Sequence, residues 1–369
     1  MRKVKLTSVC RPKQWKTIPT SELKDVGYPV YGANGVIGYY DSYNHEQETV
    51  VITCRGATCG TVNLTHPRSY VTGNAMCLDN VDDSVNVRYL FYSMQAYDFK
   101  KVISGTAQPQ ITREGLEKVE FVLHSLDMQK KMVRILDETD TLIEKRRVQL
   151  EKLDELVKSR FIELFGDPVS NPKGWDKEEL FQCLTSIDNG KSFVCEANSR
   201  TGDAPAVLKL SAATYGYYKP EENKAMIDVE QFVENAEVHS GDLLFTRKNT
   251  PDLVGMCAYV YDTPVKLMMP DLIFRLNVSE RCDKIFLWKL INHDLFRPCI
   301  ENIATGSAKS MSNISKERLL RLKIILPPLE LQQQFSAFVA QVDKSKFVVQ
   351  KSLQELETLK KSLMQQYFG

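Results

Sequence analysis

Residues able to do chemistry are few in this chain, and they stand apart. Gly190-Lys191-Ser192 comes nearest to a phosphate loop, but the first glycine of G-x-x-x-x-G-K-[ST] would fall at Thr185, so no backbone nest is expected there. Cys54 and Cys59 flank a turn without a nearby histidine pair, which suits small buried thiols better than zinc. His45, His66, His124, His239 and His293 are scattered singly, so neither a hydrolytic triad nor a metal cluster is legible. No catalytic residue, metal or cofactor is therefore expected in this chain. The nine cysteines form no C-x-x-C pair and Met1-Arg2-Lys3 leads into no apolar stretch, which points to reduced thiols and a cytoplasmic protein. No apolar run approaches the roughly 18 residues of a membrane span, and mean hydropathy is −0.29.

What remains are clusters that mix residues able to hold phosphates with residues able to read base edges. The first region carries Tyr31-Gly32-Ala33-Asn34-Gly35 and Tyr39-Tyr40, then Arg55 in a small-residue turn, then Lys100-Lys101 ahead of Ser104-Gly105-Thr106-Ala107-Gln108-Pro109-Gln110. The second carries Tyr215-Gly216-Tyr217-Tyr218-Lys219, Thr246-Arg247-Lys248-Asn249-Thr250 and Thr305-Gly306-Ser307-Ala308-Lys309-Ser310. Alone, each reads better as a solvated turn with half-buried rings, and recurrence at matching places in both units brings the nucleic-acid reading level with it. That recurrence makes Arg55, Lys100, Lys101, Gln108 and Gln110 the candidate nucleic-acid contacts of the first region. Tyr217, Lys219, Arg247, Lys248, Asn249 and Lys309 are those of the second. Net charge is +3 over 1–110, −1 over 111–166, −5 over 167–310 and +4 over 311–369. An acidic second region that binds DNA must use local clusters, or partners that supply phosphate contacts.

These clusters sit on a duplicated framework. Residues 111–166 align without a gap onto 314–369 at a constant offset of 203, with 14 identities in 56 positions. Positions spaced alternately by four and three trace a coiled-coil seam through Leu136, Ile143, Leu150, Leu153 and Val157, and through Val339, Val342, Val349, Leu353 and Leu356. Thr139, Arg146 and Arg160 interrupt the first seam, Lys346 and Lys360 the second. The pattern predicts two helices of about 40 residues, roughly 60 Å each, packed as an antiparallel coiled coil with a pseudo-twofold internal repeat. The intervening regions show short β-branched runs between Gly, Asn, Asp and Pro, with helical stretches near 87–99 and 283–292, and read as mixed α/β. The expected division is 1–110 and 167–310 for the variable domains, 111–166 and 311–369 for the helical regions.

Tyr28-Pro29-Val30-Tyr31-Gly32-Ala33-Asn34-Gly35, the turn Gly105 to Ile111, Leu326-Pro327-Pro328-Leu329-Glu330-Leu331-Gln332, and the closing Phe165-Gly166 and Phe368-Gly369 resemble the DNA-specificity subunit of type I restriction-modification systems. The first helix opens with Leu123-His124-Ser125-Leu126 where the second has the prolines, a departure from that pattern. The resemblance implies two target-recognition domains, each reading one half of a split site on double-stranded DNA. The helix pair would be the spacer between them. It further implies two modification subunits carrying S-adenosylmethionine and the adenine-methylating site, and two motor-nuclease subunits using ATP and Mg²⁺, with no catalysis by this chain. A coiled-coil interaction scaffold without DNA reading, or an enzyme with an unrecognised site, are the competing classes.

Overall fold

A computed structural model describes residues 2–33, 35–105, 108–306 and 311–369. The chain divides into two compact units, 1–149 with 349–369, and 150–348.

The described residues of the first unit form nine strands: β1 (Arg2–Lys5), β2 (Arg11–Lys13), β3 (Tyr28–Gly32), β4 (Gly35–Tyr40), β5 (Val50–Thr53), β6 (Val62–Leu64), β7 (Tyr70–Val71), β8 (Ala75–Asp79) and β9 (Glu120–Leu123). They form a four-stranded sheet of order β2-β8-β5-β6, a three-stranded sheet β4-β3-β7 and a ribbon β1-β9. All four residues of β5 are buried, as expected of a central strand covered on both faces. Val50 and Ile52 face a core shared with helix α1 (Val87–Ala96), while Val51 faces Tyr31 and Trp15. Asn86 starts α1 by accepting a hydrogen bond from the Tyr89 N–H. A short helix α2 (Arg113–Leu116) then leads into β9, and α3 (Leu126–Phe165) follows.

The second unit repeats this plan. Its strands are β10 (Lys177–Glu179), β11 (Leu184–Asn189), β12 (Ala206–Leu208), β13 (Asn223–Ala225), β14 (Leu243–Thr246), β15 (Lys248–Asn249), β16 (Cys257–Tyr259), β17 (Leu267–Met268), β18 (Ile273–Val278), β19 (Ser312–Asn313) and β20 (Lys323–Ile325). The sheets are β11-β18-β14-β16, β13-β12-β17 and β10-β20, with an added ribbon β15-β19. Even the parallel pairing recurs, β3 with β7 in one unit and β12 with β17 in the other. Helices α4 (Lys284–Ile291), α5 (Arg297–Asn302) and α6 (Lys316–Leu320) precede α7 (Leu329–Phe368). Asp283 caps α4 as Asn86 caps α1.

Helices α3 and α7 are 40 residues each, and their ends obey the same offset of 203 as the sequences. Missing prolines in the first copy do not move its start. They pack as an antiparallel pair: as α3 ascends through Asp140, Arg146, Asp154 and Phe161, its partners on α7 descend through Lys360, Ser352, Lys346 and Phe335. Of the seam residues, Leu136, Ile143, Val157, Val339, Val342 and Val349 are buried, and Leu150, Leu153, Leu353 and Leu356 half-buried. The two seam lysines each find an aspartate of the facing helix, Lys360 with Asp140 at 2.6 Å and Lys346 with Asp154. Polar seam positions thereby fix register, at some cost in stability.

Each unit is closed by both helices. In the second, Phe335 near the start of α7 meets Phe161 and Phe165 near the end of α3, at centroid distances of 5.5 and 5.4 Å, and Phe165 meets Phe286 of α4 at 4.8 Å. In the first, Phe368 at the end of α7 meets Tyr89 of α1 at 5.4 Å. Gln129 and Gln332, identical across the repeat, are both completely buried. Gln129 accepts from the Asn86 N–H (2.8 Å) and donates to the Ser84 and His124 carbonyls; Gln332 accepts from the Asp283 N–H (2.8 Å) and donates to the Pro327 carbonyl. One carboxamide per unit thus ties the first turn of a long helix to the cap of a short one. Among the described residues, no helix is long and apolar enough to cross a membrane.

Candidate nucleic-acid interface

In both units three connections converge beside the central strand of the larger sheet. The first is the link between the leading strands of the small sheet. Only two residues of sequence separate β3 from β4, against residues 209–222 between β12 and β13. The second follows the central strand, from Cys54 in one unit and from Arg247 in the other. The third is the turn that precedes Ile111 and Ile314.

Hydrogen bonds join the three in the first unit. The Thr53 hydroxyl donates to the Ala33 carbonyl, the Gly56 N–H to the Pro109 carbonyl (3.2 Å), and the Ile111 N–H to the Cys54 carbonyl (3.0 Å). Arg55 lies opposite Gln110 in an antiparallel bridge, and Gln110 exchanges two 2.9 Å bonds with Ser104. Arg55, Gln108 and Gln110 are exposed, as are Lys100 and Lys101 in the single helical turn Phe99–Lys101. Gly60, at φ +95°, lets the second connection rejoin the sheet; a Cβ there would sit 2.9 Å from the Phe99 Cβ.

The second unit repeats the arrangement with different side chains. The Ile314 N–H donates to the Arg247 carbonyl (2.8 Å), Lys248 pairs with Asn313, and Asn313 exchanges two 2.8 Å bonds with Thr305. The counterpart of Arg55 is therefore Lys248, whereas Arg247 takes the place of Cys54. The Arg247 guanidinium lies over the Phe274 ring, 4.9 Å from its centroid, and donates to the Asn313 Oδ1 at 3.3 Å. Gly255, at φ +74°, is the equivalent of Gly60.

The long 209–222 connection presents Tyr215 and Tyr217, 54% and 50% exposed, with the Lys219 ammonium 5.7 and 5.0 Å from their ring centroids. Interaction with the Tyr217 hydroxyl pushes the Lys219 pKa up, so it is a cation at any working pH. Tyr218 faces inward, its hydroxyl paired with Thr263 at 2.7 Å.

Asn249 requires a correction. It is buried, and its amide donates to the Thr214 hydroxyl at 3.1 Å, so it braces the tyrosine loop against the post-strand loop rather than offering an edge to a ligand. Lys309 lies outside the described residues. Sequence reasoning passed over Asn313, which the repeat offset, carried one residue upstream, pairs with Gln110.

The other chemical candidates have structural partners. Gly190 permits a close backbone approach, since a Cβ there would lie 2.1 Å from the Pro270 carbonyl oxygen, and the Lys191 N–H is used by the Met269 carbonyl. His45 and Asp79 pair at 2.9 Å, with Asn44 on the other imidazole nitrogen and the Trp15 indole on the other carboxylate oxygen. Cys77 lies beside them, its thiol pushed far up by burial and by Asp79. Cys54 is likewise raised by burial and accepts from the Gln14 amide.

The sequence profile described as the type I restriction modification DNA specificity domain matches residues 1–152 and 172–358. The chain belongs to this family. A specificity subunit of the type I restriction enzyme EcoEI from Escherichia coli is 30% identical over 195 residues, 52% of this chain and 33% of that protein. This chain therefore spans only about a third of that relative. The MjaVIII specificity subunit of Methanocaldococcus jannaschii is 23% identical over 337 residues, covering 86% of this chain and 77% of that one. In fold, the chain resembles the crystal structure of a type I S subunit from M. genitalium with a TM-score of 0.67, at 13% identity, over 100% of this chain and 96% of that one. The duplicated α/β plan and paired long helices are thus those of specificity subunits. Proteins of this kind are the non-catalytic members of their systems.

Proposed function

We propose that this chain reads a split, asymmetric site on double-stranded DNA, one half-site per unit, for a type I restriction-modification complex. The observation that carries this reading is the duplicated three-connection face: each unit sets cations and a carboxamide on backbone held by the same hydrogen-bond scheme, exposed in the first unit and partly exposed in the second. The same three connections differ between units in length and side chains, as needed for two unlike half-sites. Recognition domains at 1–110 and 167–310, with spacer regions at 111–166 and 311–369, accord with it. Arg55, Lys100, Lys101, Gln108 and Gln110 would serve the first half-site, Tyr217, Lys219, Arg247, Lys248 and Lys309 the second. Cations supply most of the affinity and amides the discrimination.

Methylation of adenine and cleavage would belong to two modification and two motor-nuclease subunits in the cytoplasm. S-adenosylmethionine, ATP and Mg²⁺ would be bound there and not here. The −5 charge of residues 167–310 leaves phosphate contacts to local clusters such as Lys248 and Lys219, or to such partners. Co-expression with a partner methylase, followed by mapping of methylated adenines in the host DNA, tests the reading. A two-part motif with a fixed gap is expected; assembly without any motif would instead favour a scaffold.

A further inference from the structure

Gln110 and Asn313 occupy the same place in the two units, immediately before the isoleucine that opens each repeat. Both are carboxamides. In each case the backbone is pinned twice, by the reciprocal bonds to Ser104 or Thr305, and by pairing with Arg55 or Lys248. A side chain leaving such a doubly held residue starts from a fixed point, so little ordering entropy opposes a geometrically exact contact. Gln110 is exposed and Asn313 half-exposed, and the cation opposite each stands one strand spacing away.

We propose that Gln110 and Asn313 are the equivalent specificity-determining side chains of the two units, each reading one base, with Arg55 and Lys248 holding the neighbouring phosphate. The inference rests on the DNA-reading function proposed above. The chemistry fits adenine best: a carboxamide offers one donor and one acceptor side by side, matching N7 and the N6 amino group in the major groove. Arg247 strengthens the assignment in the second unit. Its bond to the Asn313 Oδ1 fixes the orientation of that amide and leaves Nδ2 as the forward donor.

The test selects binding sites from a randomised duplex library with the assembled complex, comparing wild type with Gln110→Ala, Asn313→Ala and Asn313→Asp. Asn313→Asp retains the oxygen that Arg247 holds but loses the donor, so it separates base reading from support of the loop. Gln110→Ala is expected to relax preference at one base pair of one half-site by about 5- to 150-fold, leaving the other half and the gap unchanged. Both Asn313 variants should do the same to the opposite half. Arg55→Ala and Lys248→Ala should weaken binding without changing the preferred bases, and should flatten its salt dependence. If the wild-type complex selects a split motif and all three amide variants retain it in full, the assignment is overturned while the proposed function stands. If wild type selects no split motif, the proposed function fails first.

Discussion

Replacing Gln129 with alanine removes a completely buried side chain with three hydrogen bonds to backbone groups. The half-buried Asn86 N–H is left without its acceptor, at a cost of about 2 kcal/mol. The Ser84 carbonyl belongs to an exposed residue and can turn to water, whereas the half-buried His124 carbonyl adds about 1 kcal/mol. With the small void left behind, the total is about 3–4 kcal/mol. For a unit of about 170 residues, each kcal/mol lowers the melting temperature by about 2–4 °C, so a fall of about 6–16 °C is expected. Hydrogen exchange should localise the loss. The amides of Asn86 and the first turn of α1 should exchange faster in Gln129→Ala, those of Asp283 and α4 should not, and Gln332→Ala should give the converse. A penalty below 1 kcal/mol, or equal loss of protection in both units from either variant, would refute the idea that one carboxamide secures each helix junction.

Other expectations follow from the same geometry. Phe165→Ala, at a fully buried ring, should cost about 4 kcal/mol in the second unit, and Phe368→Ala, at a half-buried ring, about 2 kcal/mol in the first, by denaturant titration. Lys289 faces Asp343, Lys346 and Asp154 beside the Trp288 ring, and burial lowers its pKa from 10.5 to about 8. Between those values the unfolded chain binds the extra proton, so stability rises with pH across that window and the penalty is fully present below it. Lys289→Met should therefore stabilise the second unit by about 2 kcal/mol at pH 7, after allowance for partial exposure, and remove the rise seen in melts from pH 7 to 10. Inserting one matched heptad into both long helices adds about 10 Å, or about 3 base pairs at 3.4 Å each. Methylation mapping should then find both half-sites unchanged with a longer gap; altered half-sites with the old gap would count against a spacer role.

Sequence alone determined the duplication, the lengths of the helices and most of their seam, because a 3.5-residue apolar repeat over forty residues has one physical solution. It also determined the absence of a phosphate loop at Gly190-Lys191-Ser192, since a missing glycine at 185 can be read off the chain. Tertiary structure decided what long-range pairing controls. Ile314 bonding to the Arg247 carbonyl, as Ile111 bonds to that of Cys54, matched Arg55 with Lys248; no spacing rule contains that match, since the two loops differ in length. It turned Asn249 inward onto Thr214, across 35 residues of chain. It also closed each unit with the end of the other repeat's helix, bringing Phe368 onto Tyr89 and Phe165 onto Phe335. Contacts so distant along the chain leave no local periodicity behind, because their partners are chosen only when two faces meet.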